Sequence, residues 1–271
     1  TPGQNSVLGI DYRPKKGLYF NATGNYVSRI PLDDANTVFA SSSTTLAVST
    51  DAGANWTNRY TALGGSNLSL IAVTEANPLV IYFFSASGAI KKSTDAGFNW
   101  TTMTSPNTIL NMSQGWYDLA LAVSPANENI VMCAAGPNTS GGQGFAKSTN
   151  GGGSWSQIGT SNHVDHHDLQ FEPGNANVVY NTNDGGIYKS TDAGATWGNI
   201  SIGIDIKQYY KLGASALTYN YLYAGAQDNG TDRWKANAWA HVGCCDGMDC
   251  VMDYTNDNIA YIGSQNGGFY K

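Results

Sequence analysis

The sequence predicts an all-β chain of four-stranded antiparallel blades, arranged as a β-propeller. Three observations carry that expectation. An eight-residue pattern with Ser first and Trp last returns four times, its copies 42 to 55 residues apart. Polar turn residues lead repeatedly into short runs of β-branched and aromatic residues, as hairpins do. No segment between them has the periodicity of a helix.

The four copies are Ser49-Thr-Asp-Ala-Gly-Ala-Asn-Trp56, Ser93-Thr-Asp-Ala-Gly-Phe-Asn-Trp100, Ser148-Thr-Asn-Gly-Gly-Gly-Ser-Trp155 and Ser190-Thr-Asp-Ala-Gly-Ala-Thr-Trp197. Their third positions are Asp51, Asp95, Asn150 and Asp192, with spacings of 44, 55 and 42 residues that suit one four-stranded blade each. Each copy reads as an Asp-box turn. The carboxylate accepts nearby backbone N–H groups and Gly takes a positive φ. The Trp is expected to open the next strand and to bury its ring between blades. Asn150 keeps the acceptor without the charge. Asp51, Trp56, Asp95, Trp100, Asn150, Trp155, Asp192 and Trp197 are therefore structural rather than catalytic in this reading.

A second element precedes each turn: Leu32 to Phe39, Glu75 to Tyr82, Pro125 to Met132, Pro173 to Tyr180, Thr255 to Tyr261 and, more weakly, Leu217 to Tyr223. About six repeat units are thus visible, four of them with an Asp-box. In the fourth, strand A is expected at Asp168–Glu172, B at Val178–Thr182, C at Gly186–Ser190, and D from Thr196–Trp197. The sixth stops at Phe269-Tyr-Lys271. The expectation is one domain over residues 1–271, with Thr1 a mature or trimmed start. Either the chain is cut from a longer parent with further domains, or N-terminal strands within Ser6–Tyr12 and Gly17–Asn21 complete the last blade.

Composition narrows the function classes. Only 13% of residues are charged, and 14 Lys plus Arg against 20 Asp plus Glu leave a net charge of -6. No basic stripe exists to neutralise phosphates, which argues against nucleic acid. No apolar run approaches the roughly 20 residues of a membrane helix, which argues against membrane insertion. Of the four cysteines, Cys244 and Cys245 are adjacent and Cys250 follows closely, with Cys133 apart. No CxxC pair occurs. A short-loop or vicinal disulfide and buried thiols both remain open. Asn-x-Ser/Thr sequons at Asn21, Asn55, Asn67, Asn99, Asn111, Asn138, Asn199 and Asn229 fit secretion.

The Asp-box pattern resembles those of bacterial neuraminidase-repeat, sortilin-type and xyloglucanase-type propellers. A narrower resemblance runs from residue 163 to 271: His163-Val-Asp-His-His-Asp-Leu-Gln-Phe, Asn183-Asp-Gly-Gly-Ile-Tyr-Lys-Ser, Gly225-Ala-Gln-Asp-Asn-Gly-Thr and Asp246-Gly-Met-Asp follow in order. This series is similar to the secreted sortilin-like proteins of Bacteroidetes, often labelled glycosyl hydrolases and exported with a C-terminal type IX sorting domain. Cys244-Cys245 stands where that pattern more often has Gly-Gly. The resemblance implies an extracellular or cell-surface propeller.

Strand order predicts which end of the blades carries chemistry. Loops joining strand D of one blade to A of the next share an end with B–C turns, and Asp-boxes, as C–D turns, lie at the other. His163, Asp165, His166 and His167 precede strand A of the fourth repeat, and Asn183 and Asp184 form its B–C turn. Gln227, Asp228 and Asn229 form the B–C turn of the fifth, and Asp246 and Asp249 precede strand A of the sixth. Trp116, Tyr117 and Asp118 hold the matching place in the third. His163, Asp165, His166, His167, Asp184, Asp228 and Asp246 are expected in one patch. Such loops over a rigid scaffold suit a binding site for a glycan or protein ligand.

Two chemistries are open there. His163, His166, His167 and Asp165 form a candidate set for a divalent metal, although their spacing is no standard ligand motif; the alternative is that these groups bond neighbouring loops. Asp165, Asp184, Asp228 and Asp246 are candidate carboxylates for glycoside hydrolysis, which needs two. Sialidase chemistry is disfavoured: the only arginines are Arg13, Arg29, Arg59 and Arg233, none in a matching context. The expected function is a secreted binding or assembly module, with glycoside hydrolysis as the alternative.

Overall fold

The computed structural model describes residues 37–66, 68–138, 144–159, 162–204 and 207–271, and the backbone of 8–12 and 18–22. Arg13, Arg29, Asn67 and the turn residues 32–36 of the first hairpin lie outside these. The chain divides into two compact units, Thr1–Ile200 and Ser201–Lys271.

In the first unit, β1 (Leu8–Tyr12) and β2 (Leu18–Ala22) pair as an antiparallel hairpin in a sheet of their own. Next come β3 (Val38–Ser41), β4 (Leu46–Ser49) and β5 (Thr57–Tyr60), which are strands B, C and D of a first blade. The second blade is β6 (Ser69–Thr74), β7 (Asn77–Ser85), β8 (Ile90–Ser93) and β9 (Thr101–Thr102). Six further strands are β10 (Leu110–Asn111), β11 (Ala120–Val123), β12 (Val131–Ala134), β13 (Gly136–Pro137), β14 (Phe145–Ser148) and β15 (Ser156–Gln157). Of these, β11-β12-β14-β15 form the third blade and β10 pairs with β13 beside it. The fourth blade is β16 (His166–Glu172), β17 (Asn175–Asn183), β18 (Gly186–Ser190) and β19 (Gly198–Asn199).

The second unit holds a four-stranded sheet, β20 (Tyr209–Ala214), β21 (Leu222–Ala226), β22 (Thr231–Lys235) and β23 (Ala238–Gly243). A three-stranded sheet follows: β24 (Gly247–Met252), β25 (Ala260–Ser264) and β26 (Gly268–Tyr270). All strand pairs are antiparallel, and apart from β10–β13 and the β12–β14 pair that spans β13 they join neighbours in sequence, so each blade is a meander. The fold class is all-β, with propeller blades, and six blade-type sheets occur among the described residues. No helix of the described residues is long and apolar enough to cross a membrane.

Period-two alternation explains why the blades of the first unit stack. In β7, Val80, Tyr82 and Phe84 enter a core shared with the third blade, while Ile81 and Phe83 enter one shared with the first. In β12, Val131 and Cys133 point back toward the second blade and Met132 and Ala134 forward toward the fourth. A strand buried on both faces must be apolar throughout, and the sequence Val-Ile-Tyr-Phe-Phe at 80–84 is. The first strands β6, β11 and β16 contact one another in turn, so these sheets fan from a common inner edge.

The Asp-boxes correct the expected strand starts: β5, β9, β15 and β19 each begin one residue after the Trp. Trp100, Trp155 and Trp197 pack toward the preceding blade as expected. Trp197 stacks on Phe145 with centroids 5.2 Å apart. Trp56 departs from the expectation and is 44% exposed. It belongs to the first blade of the series, and its indole N–H donates to Gly53 O at 2.9 Å within its own turn. Cys244 and Cys245 are joined in a disulfide, and Cys133 and Cys250 are buried thiols.

Candidate ligand-binding site

The site of the first unit is assembled where the loop before β11, the start of β16 and the β17–β18 turn meet. Strand β18 runs away from that turn to the Asp-box at Ser190, so the two lie at opposite ends of the blade. The turn Asn183-Asp184-Gly185-Gly186 is held from inside: Asn183 Oδ1 accepts the Gly185 N–H at 2.9 Å. Gly185 is required there because a Cβ would stand 2.4 Å from His163 Cβ. Asp184 sits at the tip of that turn, its side chain 15% exposed.

Asp184 is the hub. Its Oδ1 lies 2.6 Å from His167 Nε2, and its Oδ2 accepts the Tyr117 hydroxyl at 2.9 Å. Tyr117 and His167 also meet edge to face, with ring centroids 4.9 Å apart. Trp116 packs against Tyr117 at 5.7 Å, and these two rings are 63% and 39% exposed. Asp165, held at φ 60, brings a carboxylate oxygen within 4.8 Å of one from Asp184.

Behind the rings sits Asp118. Its side chain is fully buried, and neither carboxylate oxygen has a hydrogen-bond partner among the described residues. Burial pushes its carboxyl up to about 6; the charges of Asp165 and Asp184 push the same way, while His167 and a backbone N–H oppose them. Other buried polar atoms that lack partners among the described residues lie at the same end of their blades: Ser41 Oγ at the end of β3, Ser69 Oγ at the start of β6, and the Asn162 amide before β16.

His166 goes elsewhere. It is fully buried, its ring centroid is 4.0 Å from that of Phe145, and its Nδ1 faces Asn181 Oδ1 at 3.1 Å. Asn181 in turn accepts from Asn183 Nδ2 at 2.9 Å, so His166 is part of an interior polar network. His163 turns its Nδ1 to Val164 O at 3.1 Å. The candidate metal set of His163, His166, His167 and Asp165 is not brought together among the described residues: one ring nitrogen of each imidazole faces, in turn, a backbone carbonyl, a core amide and Asp184. The reason is the strand itself, because β16 starts at His166 and successive residues of a strand face opposite ways.

Within the second unit, Asp228 and Asp246 are brought together: Asp246 Oδ1 accepts the Asp228 N–H at 2.9 Å. Gln227 O accepts from Asn229 Nδ2 at 3.0 Å, closing the same turn. Asp249 is not in the loop but inside β24, where it lies 3.7 Å from Lys211 Nζ. A cluster that the sequence did not suggest surrounds the buried Asp232 of β22. Its carboxylate takes bonds from Lys207, from the Tyr209 hydroxyl at 2.8 Å and from His241 Nδ1 at 3.3 Å. The strand reads Thr-Asp-Arg-Trp-Lys, and nothing in that polar run marks Asp232 as the buried member.

No family model matches the chain, and neither does any curated protein. Among solved structures the chain is similar to an ancestral GH74 enzyme, 21% identical with a TM-score of 0.49, over 98% of this chain and 37% of that one. A second is the GH74 xyloglucanase from Xanthomonas campestris, 15% identical with a TM-score of 0.49, over 97% and 42% of the two chains. A third is YCF48 from Cyanidioschyzon merolae, 14% identical with a TM-score of 0.46, over 97% and 94%. The chain spans less than half the length of these two GH74 structures.

Proposed function

We propose that this chain is an extracellular binding module whose D–A/B–C loop end in the first unit takes a glycan. The observation that carries the reading is the exposed Trp116–Tyr117 pair set directly against the Asp184–His167 pair. Flat aromatic rings offer a stacking surface for the apolar face of a sugar, while carboxylate and imidazole accept and donate to its hydroxyls. A protein segment is the other ligand such a face could take, and the sortilin-like resemblance of residues 163–271 favours export to the cell surface. The Cys244–Cys245 disulfide supports an oxidising compartment. Binding of the purified chain to a panel of plant and bacterial glycans, compared with Trp116→Ala, tests the reading. Loss of glycan affinity in the variant is expected. Glycan binding unchanged by the substitution, or binding to peptides alone, would overturn it.

Glycoside hydrolysis is the second reading, and one observation favours it. Asp118 is held at about 6 beside an Asp165–Asp184 pair with oxygens within 4.8 Å, the split of carboxyl environments that acid and base roles need. Against it, Asp118 is fully buried and out of a substrate's reach. Release of reducing sugar that disappears in Asp184→Asn would favour the enzyme.

A further inference from the structure

The connection from β23 to β24 is closed by a disulfide between sequence neighbours, Cys244 and Cys245. Both residues are exposed. Cys245 is held at φ 68, in the left-handed region that a residue with a Cβ adopts only when its surroundings impose it. The surroundings are a latch between two turns of the second unit. Cys245 O accepts the Gly230 N–H at 2.8 Å. Asp246 Oδ1 accepts the Asp228 N–H at 2.9 Å, and the Asp246 N–H donates to Gln265 Oε1 at 3.0 Å. The backbones approach so closely that a Cβ on Gly230 would stand 2.0 Å from Gly243 O, and one on Gly247 2.2 Å from Gly230 O. Residues 244–246 therefore hold the 227–230 turn, in which Asp228 is itself at φ 54.

The other cysteines cannot compete for this bridge. Cys133 is wholly buried and Cys250 is buried in β24, and burial pushes the Cys250 thiol up to about 11. Neither supplies a thiolate near neutral pH.

We propose that Cys244–Cys245 is a thiol-exchange site for small thiols, and that its redox state sets the latch. A small thiolate attacks one exposed sulfur, forming a mixed disulfide and expelling the neighbouring cysteine as a thiolate. A second small thiolate attacks the outer sulfur of that mixed disulfide. It leaves as the oxidised small disulfide, and both cysteines become thiols with the two protons of the spent thiols. A small disulfide drives the reverse. Once the ring is open, nothing covalent holds Cys245 in the left-handed region, and Cys245 O and Asp246 Oδ1 release Gly230 and Asp228. This inference is independent of what the first unit binds.

The test equilibrates the intact chain with glutathione at graded reduced-to-oxidised ratios. Differential alkylation with peptide mass reads the cysteines, and amide hydrogen exchange reads Asp228, Gly230 and, as a control, Gly194. Cys244 and Cys245 should be blocked in the untreated protein and titrate together as a two-electron couple. Exchange at Asp228 and Gly230 should rise at least tenfold on reduction while Gly194 stays protected. A Cys244→Ser, Cys245→Ser double variant should match the reduced chain without added thiol. Free alkylation of both cysteines in untreated protein would overturn the proposal. So would reduction that leaves protection at 228 and 230 unchanged, a reading that needs no variant to fold.

Discussion

Ser190 Oγ accepts the backbone N–H of Gly194 at 2.8 Å, and the same bond recurs from Ser49 to Gly53, Ser93 to Gly97 and Ser148 to Gly152. Each of these serines is about as buried as a core residue, while Asp51 and Asp192 of the same turns are exposed. The hydroxyl also donates to the Asp or Asn at the third position, at 2.7 to 2.9 Å. The residue that names the motif is thus its outer brace, and Ser is its buried pivot. Ser190→Ala leaves the Gly194 N–H unpaired in the interior and should cost about 1–3 kcal/mol. Asp192→Asn should cost less. Urea unfolding of the two variants, followed by tryptophan fluorescence, checks the order.

Asp51 and Asp192 are both held down to about 2, Asp51 mainly by the Asn55 side chain and Asp192 mainly by the Thr196 hydroxyl. A carboxyl depressed below its unfolded value stabilises the fold above that value and loses its contribution as pH falls through the folded one. Stability should therefore drop between about pH 4 and pH 2. Asp192→Asn should flatten part of that drop. The third box, with Asn150 already in place, should show no such acid sensitivity in hydrogen exchange at Gly152.

Asp118 has the opposite sign. Its carboxyl is raised to about 6, so the folded state holds the proton longer than the unfolded chain does. Stability falls as pH rises from about 4 to about 6 and stays lowered above that. Asp118→Asn should be more stable than the parent at pH 7.5 by about 1–2 kcal/mol, and close to it at pH 4. Melting temperatures across that range decide the matter; equal temperatures at pH 7.5 would show that the buried carboxylate carries no such penalty.

Trp197 is 8% exposed and stacked on Phe145, whereas Trp56 is 44% exposed. Trp197→Ala should cost about 3–5 kcal/mol, as a large aromatic truncation in a packed core. Trp56→Ala should cost roughly a third of that or less. Chemical denaturation of the pair tests whether blade position, rather than motif membership, sets the contribution.

Tyr117→Phe removes the hydroxyl that donates to Asp184 Oδ2. It should leave the fold intact and the Trp116 surface in place, while freeing the Asp184–His167 pair to reorient. Ligand affinity should fall by about tenfold, the worth of one charge-assisted hydrogen bond. Calorimetry against whichever glycan binds the parent chain measures it.

What could be read from the sequence is what neighbours in sequence decide. Ser-x-Asp-x-Gly turns close on their own backbone, and the unbroken apolar runs at 80–84 and 131–134 must bury both faces whatever they meet. The all-β meander and the blade order follow from those local constraints. The adjacent histidines show where local reading fails. Taking the strand to start at Asp168 placed His166 and His167 together in a loop. With β16 starting at His166, alternation sends one ring into the core against Phe145 and the other out to Asp184.

The repeat and its turns are legible in the residues alone, because both depend on contacts within one hairpin. The stacking of blades is what brings Tyr117, 67 residues from Asp184 in the chain, to the Asp184–His167 pair. Stacking likewise buries Asp118 with no hydrogen-bond partner for its carboxylate among the described residues, and leaves Trp56 exposed where Trp197 is not. Burial and pairing across blades depend on which surfaces stack, and a carboxylate or an indole carries no mark in its own neighbourhood of what the next blade will place against it.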